Sequence, residues 1–245
     1  MNQTVHSDDP PAAKRPRRST AEKATKAAKA PATSNGGAAE PRTNDPERTM
    51  ANIIEVATRE FAEKGLAGAR IDEIAEATRT SKRMIYYYFD SKEGLYLRVL
   101  EDAYRRMREI ESDLHLDDLE PEAALRRLVG FTVDYQWAHP EFIRLVMTEN
   151  IHRGEYLARS AVIRDLNVPA IDGLRRVYER GVTAGVFRAG LDPVDLHMSI
   201  SALSVFNVAN RHTFSLIFQR DCESDTAQRE RREQIVEMLV RHARA

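Results

Sequence analysis

The sequence predicts an all-α protein, on three observations. Apolar residues recur at helical spacing in one segment after another beyond residue 45. The stretch from Ile71 to Lys92, IDEIAEATRTSKRMIYYYFDSK, splits into two short amphipathic helices with a tight connection. The run after Asp192-Pro193 is apolar almost all round, the pattern of a helix that must be buried on every side.

Bulk properties narrow the class. A chain of 245 residues suffices for a small domain plus one sizeable helical domain. The net charge of −1 gives no global basic field that would point to nucleic acid. Its distribution says more: Lys14, Arg15, Arg17, Arg18, Lys23, Lys26 and Lys29 stand against one acid, Glu22. The single cysteine, Cys222, excludes an intrachain disulfide and fits a reducing cytoplasm. No apolar run approaches membrane-spanning length, and the N-terminus lacks the apolar core of a signal peptide. A cytoplasmic protein is expected.

Residues 1–44 are rich in Pro, Ala, Ser, Thr, Lys and Arg and almost lack large apolar side chains. Such a stretch buries too little surface to offset its ordering entropy, so it reads as a disordered basic arm. Its KRPRR run suits non-specific phosphate contacts or entry into a minor groove. A localisation signal or a solvated tail without a role fits the same composition.

Asp45-Pro46 then marks a helix start, with Asp45 as cap and Pro46 at the first helical position. Met50, Ile53, Ile54, Ala57 and Phe61 form its apolar stripe, and Gly65 is expected to end it. In the second helix Ile71, Ile74 and Ala75 share one face. Thr78 to Ser81 supplies residues that cap and turn. The third helix, capped by Ser81, sets Ile85 and Phe89 one turn apart on its apolar side, with Tyr88 expected inward beside Phe89. Lys82, Arg83, Tyr86 and Tyr87 occupy the other side. Exposed tyrosines beside cations are poor helix decoration but good partners for phosphates and bases.

A helix-turn-helix places such a second helix in the major groove. Thr80, Lys82, Arg83, Met84 and Tyr87 are the candidates for entering it. Lys82 and Arg83 suit either a guanine edge or a phosphate. Ser81 leaves free N–H groups and a positive dipole end near the DNA backbone, and Arg48 is a further candidate phosphate contact.

The run from Glu47 to Leu97, about a fifth of the chain, resembles the DNA-binding domain of TetR-family transcriptional regulators. Ala57, Phe61 and Gly65, then Ile74-Ala75, Ser81-Lys82, Tyr86, Phe89, Ser91-Lys92-Glu93 and Leu95 carry the resemblance. Two residues depart from the family pattern. Ala69 stands where a Ser or Thr usually caps the second helix, so that cap must come from backbone or water. Arg79 stands where the turn usually has Gly. It either carries a left-handed backbone cost or marks a different turn, and it adds a candidate DNA contact.

The resemblance implies a three-helix DNA-binding domain at 45–92 and a larger helical ligand-binding and dimerisation domain at 93–245. It also implies that Tyr86 and Lys92 hold phosphates, Lys92 from the start of the fourth helix. That helix is expected from Ser91 towards Leu114. Asp90 with Glu93 offers a capping box, and Ser91 is the alternative cap. In the family this helix joins the two domains, and its tilt carries the signal.

Beyond it, Pro121 opens a helix reaching Trp137, and Pro140 opens the next after a break at His139. A mostly helical run follows from Tyr156 to Phe187, with Pro169 forcing a kink or a start. The penultimate helix carries Ile200, Leu203, Phe206, Val208, Phe214, Ile217 and Phe218. The last, from Asp225 to Arg244, carries one stripe of Ile235, Met238 and Leu239. Together these two resemble the family's four-helix homodimer interface.

The wording from Tyr135 to Ser160 also resembles a TetR subgroup that includes pyrimidine-utilisation and nicotinate-degradation repressors, implying a polar heterocycle or aromatic acid as effector. Pocket candidates are Trp137, Arg144, Met147, Asn150, His152, Phe206, Asn207 and Asn210. Arg144 suits an anionic effector or an ion pair with a nearby Glu. Asn207 and Asn210 sit at i, i+3 in an apolar helix, and each needs a partner, either ligand or the second subunit.

Catalysis finds no support: no Gly-rich phosphate loop, HExxH or nucleophile elbow occurs, and the histidines lack zinc-helix spacing. No metal or cofactor is expected. The expectation is a repressor that binds an inverted-repeat operator as a dimer and is released by a small molecule. An activator, a ligand-independent architectural DNA binder, or a helical binding module without specific DNA binding also fits the sequence.

Overall fold

A computed structural model describes residues 45–245. The basic arm expected at 1–44 lies outside the described residues. Ten α-helices follow one another: α1 (Pro46–Gly68), α2 (Ile71–Thr78), α3 (Lys82–Phe89), α4 (Lys92–Ser112), α5 (Pro121–Ala138), α6 (Pro140–Ile151), α7 (Ala161–Thr183), α8 (Pro193–Ala209), α9 (Arg211–Phe218) and α10 (Asp225–Ala243). Short 3₁₀ turns at Leu116–Asp118 and Leu157–Arg159 complete the described secondary structure apart from an isolated bridge between Phe187 and Arg244. The class is all-α.

The first core forms where the N-terminal stripes meet. Asp45 Oδ1 accepts from the N–H groups of Glu47 and Arg48 at 3.1 and 3.2 Å, which sets the start of α1. Ile53, Ala57 and Phe61 of α1 then pack with Ile74, Ile85, Leu95, Tyr96 and Val99, all fully buried. Phe61 meets Tyr96 edge to face at 5.2 Å. Each of the larger aliphatic side chains and Phe61 contributes roughly 1.5–3 kcal/mol by leaving water.

Three local expectations need correction. The helix expected to stop at Gly65 kinks there (φ 66°, ψ 174°) and makes a further turn to Gly68. The cap position of α2 is Arg70, not Ala69, and the Arg70 N–H is satisfied by Glu60 Oε1 at 3.1 Å, a side chain from α1. The cap of α4 is Ser91, whose Oγ accepts from Gly94 N–H at 2.9 Å. Asp90 is unavailable because it closes α3 at φ 62°.

α5 is the spine of the rest. Leu125, Leu128 and Val129 pack with Leu174 and Val177 of α7, Leu196 and Ile200 of α8, and Ile235, Leu239 and Val240 of α10. A third cluster joins Met107 of α4 to Tyr135, Phe142, Ile143 and Val208. One continuous helix, α4, thus contributes to the first core through Leu100 and to the third through Met107. Pro169 lies inside α7 instead of starting it.

The expected penultimate helix is two helices. Asn210 breaks it: its N–H and Nδ2 both bond Phe206 O, at 3.0 and 3.3 Å, and α9 begins at the next residue. Nor is it buried all round within this chain. Ile200 and Val208 are buried, but Phe206, Phe214, Ile217 and Phe218 are exposed. On α10 the buried stripe is Ile235, Val236, Leu239 and Val240, whereas Met238 faces outward. That stripe is taken up by α5 and α8 of the same chain.

A polar cluster sits among α4, α7 and α8. Arg108 pairs with Glu111, and its Nε donates to Asn167 Oδ1 at 3.1 Å. Burial pushes the Glu111 carboxyl up, against the pull of Arg108. Burial, reinforced by the Arg108 charge, pushes the His197 imidazole down. His197 therefore takes up its proton at lower pH in the fold than in the unfolded chain, which takes it up near pH 6.5. The stability this provides is fully present above about pH 6.5 and is lost as pH falls towards the lower folded-state value. His197→Gln is expected to flatten that slope. Thermal melts of both proteins at about pH 7.5 and about pH 5.5 check this, and parallel losses in the two would contradict it.

Candidate nucleic-acid interface

α2 ends in a left-handed turn. Arg79 adopts φ 54°, ψ 34°, with its N–H on Glu76 O at 3.1 Å and the Thr80 N–H on Ala75 O at 2.9 Å. This is the closure that usually falls to glycine, so of the two readings of Arg79 the left-handed one holds. Such a conformation costs an L-residue roughly 1–2 kcal/mol, partly offset because Arg loses less backbone freedom on folding than Gly. Arg79→Gly is expected to leave stability unchanged or raise it by up to about 1 kcal/mol while removing one exposed cation. A melt showing clear destabilisation would mean that the guanidinium holds the turn.

α3 starts at Ser81, whose Oγ accepts from Met84 N–H at 3.2 Å. Ile85 and Phe89 point into the first core. Lys82, Arg83, Tyr86 and Tyr87 are exposed, Tyr87 to 74 %, and Met84 and Tyr88 are half-buried. Tyr88 packs against that core, touching Phe89 edge to face. Thr80, also half-buried, donates its hydroxyl to Thr78 O at 3.4 Å. The two cations left equivalent by the sequence differ here. Lys82 is engaged by Asp72 of α2, whereas Arg83 makes no ion pair among the described residues. Lys92, half-buried in the first turn of α4, reaches Ala67 O at 3.4 Å. Arg48 lies on a different element, exposed in the first turn of α1. Residues 79–87 therefore present two guanidinium groups, of Arg79 and Arg83, that make no ion pair among the described residues, with two exposed tyrosines beside them.

Sequence reading missed what holds this segment in place. A Cβ on Gly94 would lie 2.1 Å from Phe89 O, so α4 can approach the end of α3 only with glycine there. It also missed the ties that α4 and α6 make to the segment entering α7. Ser160 Oγ donates to Glu101 Oε1 at 2.8 Å, Leu157 N–H donates to Glu149 Oε2 at 2.9 Å, and Tyr156 meets Tyr96 at 5.4 Å. Burial, with the Glu149 charge behind it, pushes the Tyr96 phenol up. The legible signal was a Glu in the last turn of a helix rich in apolar residues, Glu149, which is 2 % exposed.

Residues 53–99 match the bacterial regulatory proteins of the tetR family, and residues 121–239 match the tetracyclin repressor-like C-terminal domain. The chain is 40 % identical over 174 residues to the HTH-type transcriptional repressor NicS of Pseudomonas putida, covering 71 % of this chain and 82 % of that protein. This chain belongs to the TetR family. Like NicS, a second relative of this TetR-family chain is a repressor: SCO4008 of Streptomyces coelicolor, 37 % identical over 56 % of this chain and 69 % of that one. Among solved structures, the putative transcriptional regulator SCO4942 from Streptomyces coelicolor superposes with a TM-score of 0.60 at 28 % identity, over 80 % of this chain and 98 % of that one. The TetR-family chain is a helix-turn-helix transcription regulator, and these relatives are regulators, not enzymes.

The pocket candidates of this TetR-family chain fall into two groups. Phe206, Asn207 and Asn210 line one cavity of about 240 Å³ between α8, α9 and α10. Trp137 lies close to it, with the guanidinium of Arg211, a lining residue, 5.0 Å from its ring centroid. Arg144, Met147, Asn150 and His152 are exposed along α6 and its C-terminal end and do not line that cavity. Asn150 Nδ2 bonds Val146 O at 2.9 Å, and Arg144 makes no ion pair among the described residues.

Proposed function

We propose that this TetR-family regulator is a repressor that binds an inverted-repeat operator as a homodimer and releases it when a small molecule binds. The observation that carries the reading is the exposed segment of α3, with Arg83 unpaired and Tyr86 and Tyr87 beside it. The repressor names of its relatives support it. In this reading Thr80, Arg83, Met84 and Tyr87 face base edges. Arg48, Arg79, Ser81, Lys82, Tyr86 and Lys92 face phosphates, with Lys82 exchanging Asp72 for DNA. The DNA-binding domain is 45–92 and the effector and dimer domain 93–245, with α4 running from one into the other. No helix among the described residues is long and apolar enough to cross a membrane, which fits action in the cytoplasm.

The dimer forms on the apolar surface that the described residues leave uncovered. Leu216, Ile217 and Phe218 of α9 and Met198 and Phe206 of α8 are exposed, with Met238 of α10. The effector, a polar heterocycle or aromatic acid, must prefer the state whose recognition helices no longer match the groove spacing, because equal affinity for both states shifts nothing.

Binding isotherms on matched and mutated duplexes test the assignment of roles. Tyr86→Phe and Lys92→Ala are expected to weaken binding to all sequences, and Lys92→Ala to lower the salt slope by about 1. Arg83→Ala is expected to cost about 1–3 kcal/mol and to relax preference at particular base pairs only. The opposite pattern would reverse the phosphate and base assignments.

A further inference from the structure

The cavity between α8, α9 and α10 has a charge imbalance that no ion pair among the described residues resolves. Arg211, Arg220 and Arg231 all line it. None of the three makes an ion pair among the described residues, whereas Arg98, Arg106, Arg108, Arg126, Arg232 and Arg244 each pair with a carboxylate. Arg211 Nε is buried and without a hydrogen-bond partner. Arg231 reaches only Gln234 Oε1, at 3.4 Å.

Asp221, the one carboxylate lining the cavity among the described residues, is already engaged. Its Oδ1 accepts from the N–H groups of Glu223 and Ser224 at 2.9 and 3.0 Å. The Ser224 hydroxyl and these amides hold its carboxyl below the usual range. Like charges gathered in a recess repel one another, and a buried unpaired N–H carries a desolvation cost, so the cavity favours an anion.

The walls say what kind. Phe206 and Phe214 meet edge to face at 5.2 Å on one side, and the Asn207 side chain makes no hydrogen bond among the described residues. A volume of about 240 Å³ is below the roughly 300–1,000 Å³ of a drug-sized pocket, which suits a single ring. Guanidinium groups hold carboxylates in a planar, bidentate manner, and aromatic walls hold a flat apolar body.

We infer that this cavity is a binding site for a small planar organic acid, its carboxylate on Arg211 and Arg231 with Arg220 at the mouth, its ring against Phe206 and Phe214. The inference deepens the effector-responsive reading and rests on it for its regulatory consequence alone. Phe206 and Phe214 also belong to the uncovered face of α8 and α9, so filling the cavity fixes side chains that the face presents to a second copy.

The chain has one tryptophan, Trp137, stacked under Arg211, which makes fluorescence a local readout. Full-length protein is titrated with benzoate, and with benzamide as the neutral match of the same shape. Benzoate is expected to change Trp137 emission saturably below about 10 mM, with no effect of benzamide. Arg211→Gln and Arg231→Gln are each expected to weaken benzoate at least about tenfold, and Arg229→Gln, exposed on α10 outside the cavity, to leave it unchanged. Arg220→Gln, in the exposed connection before α10, gives the same reading should the Arg211 variant melt early.

No saturable change with benzoate, an equal response to benzamide, or full binding by the arginine variants would overturn the site. The same proteins on labelled DNA separate it from the functional reading. Benzoate binding without DNA release keeps the site and removes its effector role. Release by benzoate that persists in both arginine variants keeps an effector and overturns this site.

Discussion

Gly94→Ala is expected to destabilise the protein by about 3 kcal/mol and to abolish DNA binding. The added Cβ would sit 2.1 Å from Phe89 O and 3.3 Å from Phe89 C and Ser91 Oγ. Backbone cannot rotate aside as a flexible side chain would, and Phe89 is buried in the first core at the end of α3. Relief therefore requires α4 to back away from α3, and the next two residues of α4, Leu95 and Tyr96, are fully buried in that core. Helix propensity alone gives the opposite sign, since Ala is favoured over Gly by about 1 kcal/mol inside a helix. Thermal melts decide between them: a fall of roughly 6–12 °C is expected for a chain of this size. A rise would show that the α3–α4 junction tolerates a methyl group, and that Gly94 is not what sets the pose of the recognition segment.

Leu216→Asp with Ile217→Asp is expected to give a folded monomer whose DNA affinity is lower by about a hundredfold or more. Leu216 is 80 % exposed and Ile217 69 %, so the carboxylates meet water in the single chain and no internal packing is lost. A second copy seated on the α8–α9 face would have to bury those charges unpaired. Losing one of two linked half-site contacts removes the effective-concentration advantage, hence the large change in affinity. Sedimentation and far-ultraviolet circular dichroism together check it. A dimer that survives both substitutions would move the interface elsewhere.

The helix-turn-helix was legible because its signals are local. Apolar spacing at Ile71, Ile74 and Ala75, the cap at Ser81 and the outward tyrosines follow from residues within one turn of each other. Arg79 was legible as a conflict between residue type and turn, and the left-handed φ resolves it. What stayed hidden depends on partners distant in sequence. The N–H of Arg70, at the cap position of α2, is taken up by Glu60, ten residues away. The role of Gly94 depends on where Phe89 O falls after a turn through Asp90 at positive φ. The split of the penultimate helix at Asn210 was masked by an apolar composition that continues on both sides of it.

The pocket was the least legible part, for a physical reason. Polar residues of α6 and its C-terminal end, such as Asn150 and His152, have the right composition but face solvent, whereas Arg211, Arg220 and Arg231 come to line one cavity only once α9 and the loop after it meet α10. Charge runs in sequence do not show which guanidinium groups lack a carboxylate. That requires the packing.

Sequence-specific recognition by a two-fold dimer is tested most directly by selecting bound duplexes from a random pool with the full-length protein. The winners are then followed by fluorescence anisotropy over a salt series. An enriched inverted repeat is expected, with half-site centres about 34 Å or a multiple apart, bound by two subunits or a multiple and resistant to competitor DNA. A pool without an enriched repeat, with binding that vanishes at modest salt, would contradict operator recognition and leave only electrostatic contact with DNA.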